Sequence, residues 1–217
     1  IFNQRGVRWF HTGGIFTALS DSCVEVAVES MKAAHEAGTI VGYDLNFRSK
    51  LWSSKKAIDV TKKLLPHVDV LIGNEEDFQN VLGFEVEGTA ANLKALPIEG
   101  YKKMVERVVK TYPNIQAVGT TLREVVSGSV NNWSAIMYYD GVFYESKRYE
   151  NLEIEDRVGG GDGFCSGFVY GLLHNMTPQE CVEMGAAHGA LLQSTRGDTS
   201  MVTIDEIKHV MGGGSAR

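Results

Sequence analysis

Apolar positions along this chain follow two rhythms. Short runs rich in β-branched and aromatic residues alternate, as far as Thr121, with longer stretches whose apolar residues recur every three or four positions. The first rhythm is that of a buried strand and the second that of an amphipathic helix. Val7 to Phe10 predicts a strand, followed by a turn at His11-Thr12-Gly13-Gly14. Asp21-Ser22 is placed to cap a helix running to Glu36 and ending at Gly38. Thr39 to Leu45 predicts the next strand. Ser53-Ser54 caps a helix to Leu65 that Pro66 stops. A strand over Val68 to Ile72, helices over Glu75 to Leu82 and Tyr101 to Tyr112, and a strand over Ile115 to Gly119 complete the series. Gly83 to Gly100, with its Gly, Pro and Asn, reads as a loop with a partial helix. This alternation predicts a parallel sheet covered by helices.

After Thr121 the rhythm changes. Val125 to Val130, Ser134 to Tyr139 and Val142 to Tyr149 read as three closely spaced strands, with Asp140-Gly141 as a two-residue hairpin turn. An antiparallel meander therefore follows the parallel units. A glycine run then leads into helices over Asp162 to Leu173 and Thr177 to Ser194, with Pro178 at a first helical position. The predicted fold is α/β: a doubly wound, mostly parallel sheet with an antiparallel meander, in a three-layer α/β/α sandwich, organised as one domain over residues 1–217.

Composition narrows the function. The 217 residues suffice for a full domain, and 43% hydrophobic with 22% charged residues is ordinary for a globular chain. A net charge of -6 argues against nucleic acid as the main partner, while a local cluster of donors still leaves room for an anionic ligand. No apolar run approaches a membrane span. Cys23, Cys165 and Cys181 have no metal-like spacing and read as buried thiols in a reducing cytoplasm. The chain opens Ile1-Phe2 without methionine, which reads as a fragment whose N-terminal region is elsewhere.

The chemistry concentrates at Asp156-Arg-Val-Gly159-Gly160-Gly161-Asp162-Gly163-Phe164. Three consecutive glycines leave the backbone bare, so successive N–H groups can converge on one anion, and the helix that follows adds positive charge at its N-terminus. Asp162 sits beside that anion nest. It is either a helix cap or the base that accepts the proton of an attacking hydroxyl in phosphoryl transfer. Other glycine motifs fail: the dinucleotide pattern needs glycine where Phe164 or Ser166 stands, and the chain contains no Gly-Lys for a Walker A loop.

The block Asp156 to Asp162 resembles the D-T-x-G-A-G-D signature of the ribokinase-like (PfkB) carbohydrate kinases, and its D-R-V-G-G-G-D form looks most like 2-keto-3-deoxygluconate (KDG) kinases. Arg157 replaces the usual threonine, and Gly163 stands where many members carry serine or alanine. The resemblance implies that Asp162 is the catalytic base and that Gly159, Gly160 and Gly161 form the anion hole. Tyr43-Asp44-Leu45-Asn46-Phe47-Arg48 resembles the D-x-N-x-R block, which implies that Arg48 contacts the sugar acid or the phosphate; a surface ion pair is the plainer alternative. Gly73-Asn74-Glu75-Glu76-Asp77 resembles the N-x-x-E pattern, with Asp77 in place of the final glutamate. It implies that Asn74 and Glu75 lie near Mg2+ through water, with Asn74 also on the nucleotide side; capping of the following helix is the alternative. Gly119-Thr120-Thr121-Leu122-Arg123 resembles the nucleotide-pocket segment, implying ATP contacts at Thr120 and Arg123; a plain strand-end threonine is the alternative for Thr120. The small face of Ala186-Ala187-His188-Gly189-Ala190 reads as tight helix packing, or, by resemblance, as the border of the adenine with His188 as a wall. Arg196-Gly197-Asp198 resembles the Gly-Asp near the sugar acid, implying a substrate contact at Asp198; a plain turn is the alternative.

The expected reaction is ATP-dependent phosphorylation of a sugar-acid hydroxyl, KDG first, with ATP and Mg2+ required. Other sugars or nucleosides, and a catalytically silent binding protein of this fold, remain as alternatives. The family's N-terminal lid, which this chain lacks, is the expected route to a homo-oligomer. Neither nucleic acid nor a membrane is an expected partner.

Overall fold

The computed structural model describes residues 1–84 and 98–214, with Glu75 described through its backbone alone. These residues form two compact units, Ile1–Val118 and Gly119–Arg217. The described residues contain a mixed sheet of seven strands, the first six side by side in sequence order and the seventh paired with the fifth.

The first unit opens with a short helix, α1 (Phe2–Arg5), and then alternates as its apolar rhythm predicts. Strands β1 (Trp9–Gly13), β2 (Ile40–Asp44) and β3 (Val70–Asn74) pair in parallel. Between them run α2 (Gly14–Ala18), α3 (Asp21–Glu36) and α4 (Ser54–Leu64), and β3 is followed by α5 (Glu75–Leu82) and α6 (Ile98–Thr111). Helix α3 buries Val24, Ala27, Met31 and Ala34, a stripe at helical spacing. The strands bury Val41, Tyr43, Val70, Leu71 and Ile72. Each such side chain contributes roughly 1.5–3 kcal/mol when taken out of water.

Several boundaries depart from the sequence reading. The turn expected at His11 to Gly14 is instead the end of β1 and the start of α2, with Thr12 and Gly13 paired to Tyr43 and Asp44. The two glycines are there for close approach: a Cβ at Gly13 would lie 2.9 Å from the Asp44 carbonyl oxygen, and one at Gly14 2.0 Å from that of Leu45. The cap of α3 is Ser20, which accepts from the Cys23 N–H, rather than Asp21-Ser22. Ser53 caps α4 as expected. Strand β3 begins two residues later than its apolar run, because Leu65–His67 closes a 3-10 turn. Helix α6 starts inside the segment read as a loop, of which residues 85–97 lie outside the described residues.

Strand β4 (Ala117–Val125) runs through the division into the second unit, which adds β5 (Val130–Tyr139), β6 (Val142–Glu145) and β7 (Tyr149–Glu153). The meander is present, but Val125 to Val130 is not a strand of its own: the strand read over Ile115 to Gly119 runs on to Val125, and the next begins at Val130. Thr120 and Thr121 extend the strand, where β5 pairs with it. The turn falls instead at 126–129, where the Val126 and Ser127 N–H groups both donate to the Val130 carbonyl. The Asp140-Gly141 turn is as predicted: both residues have positive φ (46° and 83°), and Tyr139 pairs with Val142. The strand expected over Val142 to Tyr149 is broken into β6 and β7 between 146 and 148. There Ser146 Oγ, rather than backbone, accepts the Ala135 N–H at 2.8 Å.

Helices α7 (Gly160–Leu173) and α8 (Pro178–Gln193) pack closely. A Cβ at Gly189 would stand 2.8 Å from the Trp133 ring and 2.9 Å from the Gly160 carbonyl oxygen, so the small face of α8 serves close packing. Helix α9 (Ile204–Met211) was not anticipated, although Thr203 and Glu206 form a full capping box.

Candidate active site

In the second unit the site begins where β7 gives way to α7. Asp156 folds its own backbone: its Oδ1 accepts the Val158 N–H at 3.0 Å and its Oδ2 accepts the Gly197 N–H at 3.4 Å. The Glu155 and Asp156 N–H groups donate to the Gln193 carbonyl at 3.0 and 3.3 Å, which anchors the segment to the end of α8. Gly159 then adopts φ 86°, left-handed backbone that favours glycine, and is the N-cap of α7 with no side chain to cap it. The first-turn N–H groups of α7 are thus left for a ligand or water. The three glycines differ. Gly159 and Gly160 are buried, and a Cβ on Gly160 would meet Gln193 Cγ at 2.8 Å, whereas one on Gly161 would meet nothing within 4 Å.

The helix starts two residues earlier than its sequence implies, so Asp162 is the third helical residue and does not cap. That removes the capping explanation for it. Asp162 is exposed, and among the described residues its carboxylate has no hydrogen-bond or ion-pair partner. A carboxylate on the first turn beside uncapped amides can take a proton from a hydroxyl held at the same turn.

The second unit also carries four other residues singled out in the sequence. Asp198 is exposed, its main chain backing Gly159. His188 bridges α7 and the segment after α8: Nδ1 lies 2.9 Å from Ser166 Oγ, and Nε2 lies 2.7 Å from Ser200 Oγ. Burial lowers its pKa, partly offset by a hydrogen bond to the Gly163 backbone. Thr120 is fully buried on β4 and its hydroxyl has no hydrogen-bond partner among the described residues, while Arg123 is exposed.

In the first unit the carboxyl ends of β2 and β3 carry Arg48 and Asn74. Arg48 is exposed and donates from Nη1 to its neighbour's carbonyl, Phe47 O, at 2.9 Å. The loop before it turns at Asn46 (φ 32°), whose N–H donates to Asp44 Oδ1 at 3.2 Å. Asn74 caps α5, accepting the Asp77 N–H at 2.9 Å, and Asp77 Oδ2 accepts the Asn74 N–H at 3.0 Å. Asp77 Oδ1 accepts the Phe47 N–H at 2.8 Å. Burial pushes the Asp77 carboxyl up, against the pull of those two amides and the Arg48 charge. The capping role open for Asn74 is therefore realised. Sequence reasoning passed over the Phe47 bond, although Asn-x-x-Asp is itself a cap-like pattern.

These donors do not fit direct ligation of Mg2+. The Asn74 carbonyl oxygen and both Asp77 oxygens are engaged, and the described residues contain no group of three acidic, histidine or cysteine side chains able to hold a metal. An ion that keeps its waters and rides on nucleotide phosphates needs no such cage. No helix among the described residues is long and apolar enough to cross a membrane.

The pfkB family carbohydrate kinase model matches residues 7–205, and the chain belongs to that family. The 2-dehydro-3-deoxygalactonokinase of Haloferax volcanii is 33% identical over 207 residues, 95% of this chain and 58% of that protein. The 2-dehydro-3-deoxygluconokinase of Thermotoga maritima superposes with a TM-score of 0.88 at 39% identity, covering 96% of this chain and 61% of its own. A PfkB family carbohydrate kinase from Listeria grayi gives 0.84 at 29% identity, with coverage of 96% and 61%. The chain thus spans about three fifths of the length of these relatives. The resemblance read from the glycine block holds, and so does the ribokinase-like α/β fold with its mixed sheet.

Proposed function

We propose that this chain carries the catalytic part of an ATP-dependent kinase, acting as a single nucleotide-binding and catalytic domain. It phosphorylates a hydroxyl of a small sugar acid, with 2-keto-3-deoxygluconate the first choice. The observation that carries the reading is the exposed Asp162 on the uncapped first turn of α7. Asp162 takes the proton of the substrate hydroxyl. The freed oxygen forms a bond to the γ-phosphorus as the bond to the β,γ-bridging oxygen breaks, and ADP leaves with that electron pair. The amides over Gly159, Gly160 and Gly161 and the positive end of α7 steady charge on the transferring group. Arg48 and Asp198 hold the sugar acid. Asn74, Thr120, Arg123 and His188 serve the nucleotide; a group reaching Thr120 would supply the partner its buried hydroxyl lacks. Mg2+ neutralises phosphate charge when bound, held through water near Asn74 and Glu75. The setting that follows is the cytoplasm, with homo-oligomers formed through the family's lid.

Support for the substrate class comes from the relatives' names, 2-dehydro-3-deoxygalactonokinase and 2-dehydro-3-deoxygluconokinase. A coupled assay of the intact protein with ATP and a panel of both sugar acids, fructose, ribose and a nucleoside tests it. Asp162→Asn should lower kcat by about 10²–10⁴-fold with ATP affinity preserved. Equal turnover in the mutant removes the base assignment, and no turnover on any sugar favours a silent binding protein.

A further inference from the structure

The N-x-x-E resemblance puts Asp77 where a metal-side or phosphate-side carboxylate is expected, yet its geometry points elsewhere. It is 5% exposed, and each carboxylate oxygen is spoken for by a main-chain amide: Oδ1 by Phe47 N–H at 2.8 Å, Oδ2 by Asn74 N–H at 3.0 Å. The Phe47 amide is 30 residues away in sequence. One carboxylate therefore ties the loop after β2 to the N-terminus of α5. The loop's first half is braced separately, by Asp44 Oδ1 on the Asn46 N–H at 3.2 Å. Its second half has Asp77. Phe47, held at its N–H by Asp77, receives the Arg48 guanidinium at its carbonyl at 2.9 Å.

We propose that Asp77 is a positioning residue. It sets the main chain that presents Arg48, with each carboxylate oxygen engaged by a main-chain amide. The functional consequence rests on the kinase reading above, in which Arg48 binds the sugar acid. An asparagine at this position keeps the volume but offers one acceptor in place of two, so one of the two amides must lose its partner. If Phe47 is released, Arg48 loses its placement while the nucleotide side is untouched. A glutamate retains both oxygens and the capping box, with one methylene too many for a buried site.

The test uses Asp77→Asn and Asp77→Glu in the intact protein, with KM for the sugar acid, KM for ATP and the Mg2+ concentration for half-maximal rate measured for each. The expected result for Asp77→Asn is a rise of about tenfold or more in sugar-acid KM, the scale of one charge-assisted hydrogen bond, with the ATP and Mg2+ values unchanged. Asp77→Glu should lie between it and the wild type, and supplies the same readouts should the asparagine variant not fold. An increased Mg2+ requirement with unchanged sugar KM overturns the proposal, as does no change in any of the three. Amide hydrogen exchange at Phe47 and Asn74 separates this idea from the kinase reading. If the wild type phosphorylates no sugar acid, the kinase reading fails. Faster exchange at one of those amides in Asp77→Asn then still supports the positioning role, and unchanged exchange at both refutes it.

Discussion

Gly160 and Gly161 are neighbours in one sequence motif, yet alanine at each should act in opposite directions. At Gly160 the new methyl would lie 2.8 Å from Gln193 Cγ, 3.0 Å from Cδ and 3.2 Å from Nε2. Gln193 cannot swing aside cheaply. It is 2% exposed, its Nε2 donates to the Gly189 carbonyl at 3.0 Å, and its own carbonyl anchors Glu155 and Asp156. Overpacking of this kind costs about 1–3 kcal/mol, at the upper end if the Gly189 bond breaks. At Gly161 the methyl meets nothing within 4 Å, and the backbone is right-handed helix. There alanine should leave stability unchanged or raise it by up to about 1 kcal/mol. Urea unfolding followed by far-UV circular dichroism measures both. The kinetic order reverses the stability order for Gly161→Ala, because its methyl stands on the open side of the turn where the phosphoryl group is proposed to bind. A neutral Gly160→Ala together with a destabilising Gly161→Ala would refute the packing account of this turn.

Gly14→Ala drives a methyl to 2.0 Å from the Leu45 backbone oxygen, which cannot yield as a side chain can, so a loss of about 3 kcal/mol or more is expected in a thermal or urea melt. His188 has a folded-state pKa below its unfolded value, so the unfolded chain binds the proton first. Its contribution to stability is complete above the unfolded value near 6.5 and is lost as pH falls through the lowered folded value. The urea midpoint of the wild type should accordingly drop more between pH 7.5 and 5.5 than that of His188→Gln, and parallel drops would count against it.

Much of this molecule was legible in one dimension because its signals are local. The helical stripe of α3, the Ser53 cap, the Asp140-Gly141 turn and the glycine block each depend on residues within a few positions of one another. Local rules also set the family, since the phosphate-binding turn and its aspartate are contiguous. What local reading misplaced were choices settled by distant partners. Strand β4 continues through Thr120 and Thr121 because β5 is there to pair with it, and Gly13 and Gly14 continue into α2 because the backbone of Asp44 and Leu45 passes against them. The difference among Gly159, Gly160 and Gly161 is invisible in a run of identical letters. It arises from Leu192, Gln193 and Asp198, more than thirty residues onward. Asp77 is the plainest case: its sequence neighbourhood spells a helix cap near a metal, and only the folded chain brings the Phe47 amide to its second oxygen. Short-range hydrogen bonding and periodicity fix where elements begin; which buried group satisfies which is decided when the elements pack, because desolvation makes every unpaired polar atom costly.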